Sequence, residues 1–184
     1  MSAATDRMRR LRLPLGFLLG ISYLVFVRPT TLGAVLLGGI VALVGVLVRG
    51  WAAGHIVKND RLATTGPYAH TRNPLYFGSF LIAAGFAIAA HWSLLLLVIA
   101  FFVLVYGPTI DKERYGMRQK FPDAYAEWER NVPIFVPRPV PWRAAATEST
   151  PFSFQLYMRH GEWRAGLVYV LAMAWLLLRY RLGF

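Results

Sequence analysis

The run LYFGSFLIAAGFAIAAHWSLLLLVIAFFVLVYGPTI occupies residues 75–110 and carries no charged side chain. It is too long for a single membrane crossing, which takes about 17–25 residues. His91 and Trp92 interrupt it at its centre. The pattern therefore predicts a tight helical hairpin with arms Leu75–Ala90 and Ser93–Ile110. Both open ends of such a hairpin arrive at one membrane face, so whatever flanks it on either side is brought together.

Outward from the hairpin the same character continues. Further apolar runs lie at Leu13–Val27, Thr31–Val48 and Ala165–Leu178, and none contains an acidic residue. Their glycines and alanines suit close helix packing in lipid. The expected fold is all-α: a polytopic integral-membrane helical bundle of about five transmembrane helices with a cytoplasmic cofactor-binding region. One domain is expected over residues 1–184, with N-terminal spans in 13–48, a core at 54–137 and a C-terminal span at 165–182. MSAATDRMRRLRLPLGFLLG at the N-terminus has the basic start of a signal peptide but no convincing small-residue cleavage site, so a retained first span is expected.

Hydrophobic residues make up 57% of the 184, and the formal charge is +11. High hydrophobicity with this basicity points to a membrane protein with basic cytoplasmic loops. No nucleic-acid recognition motif is present, and topology explains the charge. With the N-terminus inside, residues 1–12, 49–74 and 111–164 face the cytoplasm and hold seventeen of the twenty Lys and Arg, leaving Arg28, Arg179 and Arg181 outside. Arg179 and Arg181 make the last span the least secure, since a re-entrant helix would keep them inside. A bacterial inner membrane fits such a chain, and an organelle membrane fits equally. Absence of cysteine excludes disulfides, thiolate metal sites and a cysteine nucleophile. His55, His70, His91 and His160 show no ligand spacing, so no metal site is expected.

The polar residues concentrate in two segments flanking the hairpin. The first is RGWAAGHIVKNDRLATTGPYAHTRN, residues 49–73. The second begins DKERYGMRQKFPDAYAEWERNVPIFVPRPVPW at Asp111. Within it Pro122 suits the first turn of a helix. Phe121, Tyr125 and Trp128 recur on one face, read as packing rather than substrate contact. Four prolines from Pro133 to Pro141 then end regular structure. MRHGEWRAG, residues 158–166, has no assigned role, and the span after it is expected to cover a lipid-facing entrance.

GPYAHTRNPLYFG at residues 66–78, a hydrophobic hairpin, then ER…KFPDAYAEWERNVPIFVP resembles the isoprenylcysteine carboxyl methyltransferase family, which is related to the membrane phospholipid N-methyltransferases. The likeness covers about Gly54 to Pro137. Departures from the family pattern are Asn73 for a common His, Arg114 for the second Glu of a pair, Pro122 for Gly, Trp128 for Tyr, and Thr109 where prenyl-specific enzymes place a substrate-contacting Arg. These departures weaken a prenylcysteine substrate more than they weaken the fold or the cofactor.

The resemblance implies methyl transfer from S-adenosylmethionine to a lipophilic acceptor entering from the bilayer, either an isoprenylcysteine-like carboxylate or a phospholipid-like amine. It places Glu113 on the family's cofactor-binding Glu, and the backbones of Asp60, Arg61, Leu62 and Ala63 and of Asn73, Pro74 and Leu75 on cofactor-holding stretches. Tyr68 and Tyr76 can offer π faces to a sulfonium or an adenine. They also suit an interfacial aromatic belt. Arg72 and Glu113 are the candidate catalytic residues, Arg72 as a clamp for the cofactor carboxylate or as a brace. Asn73 also suits a helix N-cap ahead of Pro74. Asp111 and Arg114 are placed to pair with each other or with lipid headgroups. A nicotinamide-dependent membrane sterol-type reductase and a non-catalytic membrane scaffold are the alternatives.

Overall fold

A computed structural model describes residues 3–29, 31–56, 62–143 and 150–183, with side chains from Pro14 onward. Asp60 and Arg61 lie outside the described residues. Five long helices alternate in direction: α1 (Ala3–Phe26), α2 (Leu32–Ala53), α3 (Pro74–Ala90), α4 (Leu94–Lys120) and α7 (Trp163–Leu182). Two short helices, α5 (Pro122–Asn131) and α6 (Phe154–His160), lie between α4 and α7. The described residues contain no strand.

Local chemistry sets the boundaries. Thr31 Oγ1 accepts from the Ala34 N–H at 3.1 Å and starts α2. Proline opens α3 and α5, where its missing N–H costs nothing. Gly161, at φ 71°, ends α6 in a left-handed turn that leads straight into α7.

The hairpin forms as the sequence predicts. The His91 N–H donates to Ala87 O and closes α3, and the Leu94 N–H donates to His91 O and opens α4. The second arm runs further than expected. It continues as helix to Lys120, so Asp111, Glu113, Arg114 and Arg118 stand on a helix and not in a loop. Within α4 residues Phe102–Tyr106 form a π-turn, in which the Gly107 N–H reaches Phe102 O. Pro108 accounts for it. Proline has no N–H for Leu104 O, and its ring crowds that carbonyl, so the helix widens by one residue.

Helices α2 and α3 cross backbone to backbone. A methyl group placed on Gly45 would come within 2.6 Å of Gly78 O, and one on Gly78 within 2.7 Å of Gly45 O. Gly38 and Gly85 face each other in the same way one and a half turns or more along the seam. Small residues permit this approach, as anticipated for Gly78 and Gly85, and packing attraction replaces the hydrophobic drive that lipid removes.

Two buried clusters mark the ends of the bundle. Val27, Val35, Ala89, Ala90 and Leu176 meet at one end. Arg179 is at this end, donating to Leu24 O and Val25 O, so α7 runs the full length of the bundle and does not turn back. Ala52, Tyr68, Tyr125, Trp128 and Val132 meet at the other end, with Leu62, Ala63 and Leu75 against them. Both polar segments gather at this second end. By length and composition α2, α4 and α7 are able to cross a membrane, and Pro14–Phe26 and Pro74–Ala90 are shorter apolar helices. The molecule is a helical membrane protein.

Candidate functional site

The segment 65–73 is one 3-10 turn, Gly66–Ala69, followed by irregular backbone, and the proline-rich stretch after α5 holds it. Prolines supply carbonyls but no donors. Three donors come from segment 65–73: Arg72 N–H to Pro133 O at 2.9 Å, Asn73 Nδ2 to Ile134 O at 2.9 Å, and Thr71 Oγ1 to Phe135 O at 2.9 Å. In return the Arg138 and Trp142 amides donate to His70 O and Ala69 O. Trp128 Nε1 donates to Tyr68 O at 2.9 Å. Trp128 and Tyr125 are buried, which fits their reading as packing residues. Asn73 stands at the N-cap position of α3, but its amide is committed to Ile134 O and makes no capping bond.

Arg72 is pulled toward α5. Its side chain is 9% exposed, and Nη1 donates to Glu129 Oε1 at 2.5 Å and to Tyr125 Oη at 3.3 Å. Glu129 Oε2 accepts from Arg118 Nε at 2.9 Å, so one carboxylate ties segment 65–73 to the end of α4. Burial alone would raise the Glu129 carboxyl. Its bonds to Arg118 and Arg72 outweigh that and hold it below the usual carboxylate range. Asp111 and Arg114 form a pair at 3.4 Å.

Across the hairpin the Tyr76 hydroxyl donates to Glu113 Oε1 at 2.6 Å. The Tyr76 ring meets Tyr106 edge-on at 5.4 Å, and Tyr106 stacks on Phe102 at 4.4 Å. The π-turn thus sets the wall on which Glu113 is presented, a recurrent use of such turns at functional sites.

Tyr68 is 5% exposed, yet among the described residues its hydroxyl has no hydrogen-bond partner, and neither does the buried Nε of Arg72. Unsatisfied buried donors are rare, and each calls for an explanation. Burial, and then the negative charges of Glu113 and Glu162, push the Tyr68 phenol up, with Arg49 opposing. Tyr68 therefore remains a neutral donor.

Arg49, at the end of α2, carries a role that sequence reasoning missed. Its Nε and Nη2 donate to both oxygens of Glu162 at 2.9 and 2.7 Å. Its Nη1 donates to Ser79 Oγ at 2.5 Å and to Leu75 O at 3.3 Å. An Arg at the end of an apolar run reads equally as a snorkelling or positive-inside residue. The signal available was its presence inside helix α2, where an ionised side chain calls for a partner. The four histidines meet backbone carbonyls or a neighbouring hydroxyl through Nδ1. Among the described residues no group of three His, Asp or Glu is arranged to hold a metal ion.

The family model for phospholipid methyltransferases matches residues 30–124, which is α2, segment 65–73, α3 and all of α4 with the first residues of α5. The chain belongs to the phospholipid methyltransferase family. Members are membrane methyltransferases, in line with the helical bundle and with the resemblance drawn from residues 66–78. Two curated relatives carry other names. The cobalt-zinc-cadmium resistance protein CzcN of Cupriavidus metallidurans is 34% identical over 77% of this chain and 66% of its own length. The nickel-cobalt-cadmium resistance protein NccN of Alcaligenes xylosoxydans xylosoxydans is 32% identical over 73% of this chain and 63% of its own. The chain thus spans somewhat under two thirds of the curated relatives it matches. No solved structure matches the chain. Within the family match lie Arg49, Tyr68, Arg72, Asn73, Tyr76 and Glu113, whereas Glu129 and Glu162 lie beyond it.

Proposed function

We propose that the protein transfers a methyl group from S-adenosylmethionine to a lipophilic acceptor dissolved in the bilayer, a phospholipid-like amine or an isoprenylcysteine-like carboxylate. The observation that carries this reading is the Tyr68 hydroxyl, buried without a partner among the described residues. A buried donor with no protein partner fits a site completed by a ligand. The Glu113 carboxylate, which meets the neutral Tyr76 hydroxyl, and the Tyr68 and Tyr76 rings fit a ligand that bears a cation. The residues present therefore suit the methyl donor. Tyr68, Tyr76 and Glu113 would hold its cationic portion. Arg72 Nε, without a partner among the described residues, and the backbones of Leu62–Ala63 and Asn73–Leu75 would serve its polar ends.

The donor supplies an activated methyl on a sulfonium. The chain's own task is alignment and exclusion of water. Tyr76 and Glu113, bonded across the hairpin, fix the two arms at the site. Arg72, braced by Glu129, fixes segment 65–73 against them. A carboxylate acceptor needs no base, while an amine must arrive deprotonated. In this reading five spans cross a bacterial inner membrane with the N-terminus and the site on the cytoplasmic side. The metals in the relatives' names are given no site.

Isothermal titration of detergent-purified protein tests the reading. Saturable S-adenosylmethionine binding is expected, weakened roughly tenfold or more in Tyr76→Ala and Glu113→Ala, which corresponds to about 1.4 kcal/mol. NADPH titrated separately should give no signal. An NADPH signal without S-adenosylmethionine binding would favour the reductase alternative, and binding of neither by folded protein would favour a scaffold.

A further inference from the structure

Residues 150–183 lie beyond the family match, yet they are bound to the rest of the molecule in a regular way. The Ser153 N–H donates to Gly54 O, and His160 Nδ1 meets Ala53 O at 3.0 Å. The Tyr169 hydroxyl donates to Gly39 O at 3.1 Å and Trp175 Nε1 to Leu24 O at 2.9 Å. Each of these contacts ends on a backbone carbonyl of α1, of α2 or of the turn after α2, and none of them bonds to the first turn of α3. Glu162 differs. It grips a side chain, Arg49, by two parallel bonds, with only 13% of its own side chain exposed. The third nitrogen of that guanidinium reaches Leu75 O and Ser79 Oγ in the first turns of α3. Ser79 also donates to Leu75 O at 2.9 Å. Tyr76, the residue after Leu75, carries the bond to Glu113.

Planar guanidinium geometry makes this a rigid coupling. Two nitrogens fixed by a carboxylate determine where the third points. Without Glu162 the Arg49 head is free to rotate toward water or headgroups, since its four-atom stem allows snorkelling. Leu75 O would then keep Ser79 as a partner and lose its charged one. The mouth of α3 would remain helical but lose the restraint that orients Tyr76.

We propose that Glu162 is a positioning residue of the site: through Arg49 it fixes the first turn of α3, so that the C-terminal helix completes a site otherwise built from the family-matched region. The inference rests on the methyltransferase reading for its consequence, though not for its geometry.

The test compares Glu162→Gln with Tyr169→Phe, which removes a docking bond of the same segment, to Gly39 O, far from the first turn of α3, and keeps the ring that packs on Phe86. Two readouts are taken on full-length protein in detergent: hydrogen–deuterium exchange of peptides covering 73–80, and the Kd for S-adenosylmethionine. Glu162→Gln should speed exchange in 73–80 and raise the Kd roughly tenfold, while Tyr169→Phe should change neither. Arg49→Lys, which cannot form the fork, should match Glu162→Gln, and the double variant should be no worse than either single one. Unchanged exchange in 73–80 for Glu162→Gln, or an equal change for Tyr169→Phe, overturns the proposal. If wild type binds no S-adenosylmethionine, the methyltransferase reading is what fails, and exchange alone decides the role of Glu162.

Discussion

Glu129 shows how one side chain can hold a site without touching a ligand. Its carboxylate is shared between Arg72 and Arg118, and these bonds lower its pKa against the effect of burial. A carboxyl whose folded pKa lies below the unfolded value of about 4.3 contributes stability that is full above that value. The contribution is lost as pH falls through the folded pKa. Glu129→Gln should therefore lower the thermal midpoint most at neutral pH, and the gap to wild type should close as pH is taken below 4. A gap that stays constant down to that pH would refute the assignment. Arg72→Ala should cost more, about 3 kcal/mol, because it leaves a partly buried carboxylate with a single, half-exposed partner. Of this network the sequence offered Arg72 as clamp or brace, and the bonds to Glu129 and Tyr125 describe the brace. Glu129 itself looked like one polar position among several on α5, since no local pattern marks a pairing 57 residues apart.

Among the elements, α3 and α4 show what was legible and what was not. The break at His91-Trp92 in a long apolar run revealed the hairpin, because composition and length alone decide it. The π-turn was hidden. Pro108 sits in the sequence as one more residue of an apolar span, and its effect depends on the helix continuing past it. That widening sets the rotation of every later residue of α4 by about 100°, since each residue takes about that share of a turn. Pro108→Ala restores a donor for Leu104 O and allows the run to return to regular α-helix. The variant should be at least as stable as wild type but should bind S-adenosylmethionine roughly tenfold more weakly, because Glu113 rotates away from Tyr76. Thermal unfolding and titration of the same sample check both halves. A stable variant with unchanged affinity would show that the π-turn does not set the site.

Across the whole molecule, alternating helices bring the two polar segments that flank the hairpin to one end of the bundle. The apolar runs and the Lys/Arg asymmetry were enough to expect this. The contact between Arg49 and Glu162 was not legible, because it joins residues 113 apart and falls partly outside any motif. The expected orientation can be tested directly, since the chain has no cysteine of its own. Trp92→Cys at the hairpin tip and Glu127→Cys on α5 place single thiols at exposed positions on opposite ends. In intact cells a membrane-impermeant maleimide should label Cys at 92 and spare Cys at 127, with both labelled after lysis. The reverse pattern would invert the topology.

The docking of the last helix also bears on how the chain tolerates change. Its hydrogen bonds end on carbonyls of Leu24, Val25 and Gly39, and His160 of α6 meets Ala53 O. A carbonyl survives almost any substitution of the residue that bears it. The exposed side chains at 24 and 25 are therefore free to drift in identity while the acceptors they leave behind stay in register. Arg49 and Glu162 have no such latitude, because loss of either strands the other. A saturation library over these positions should be permissive at 24 and 25 and nearly closed at 49 and 162, which makes the strut, not the seam of carbonyls, the evolutionary bottleneck of the C-terminal segment.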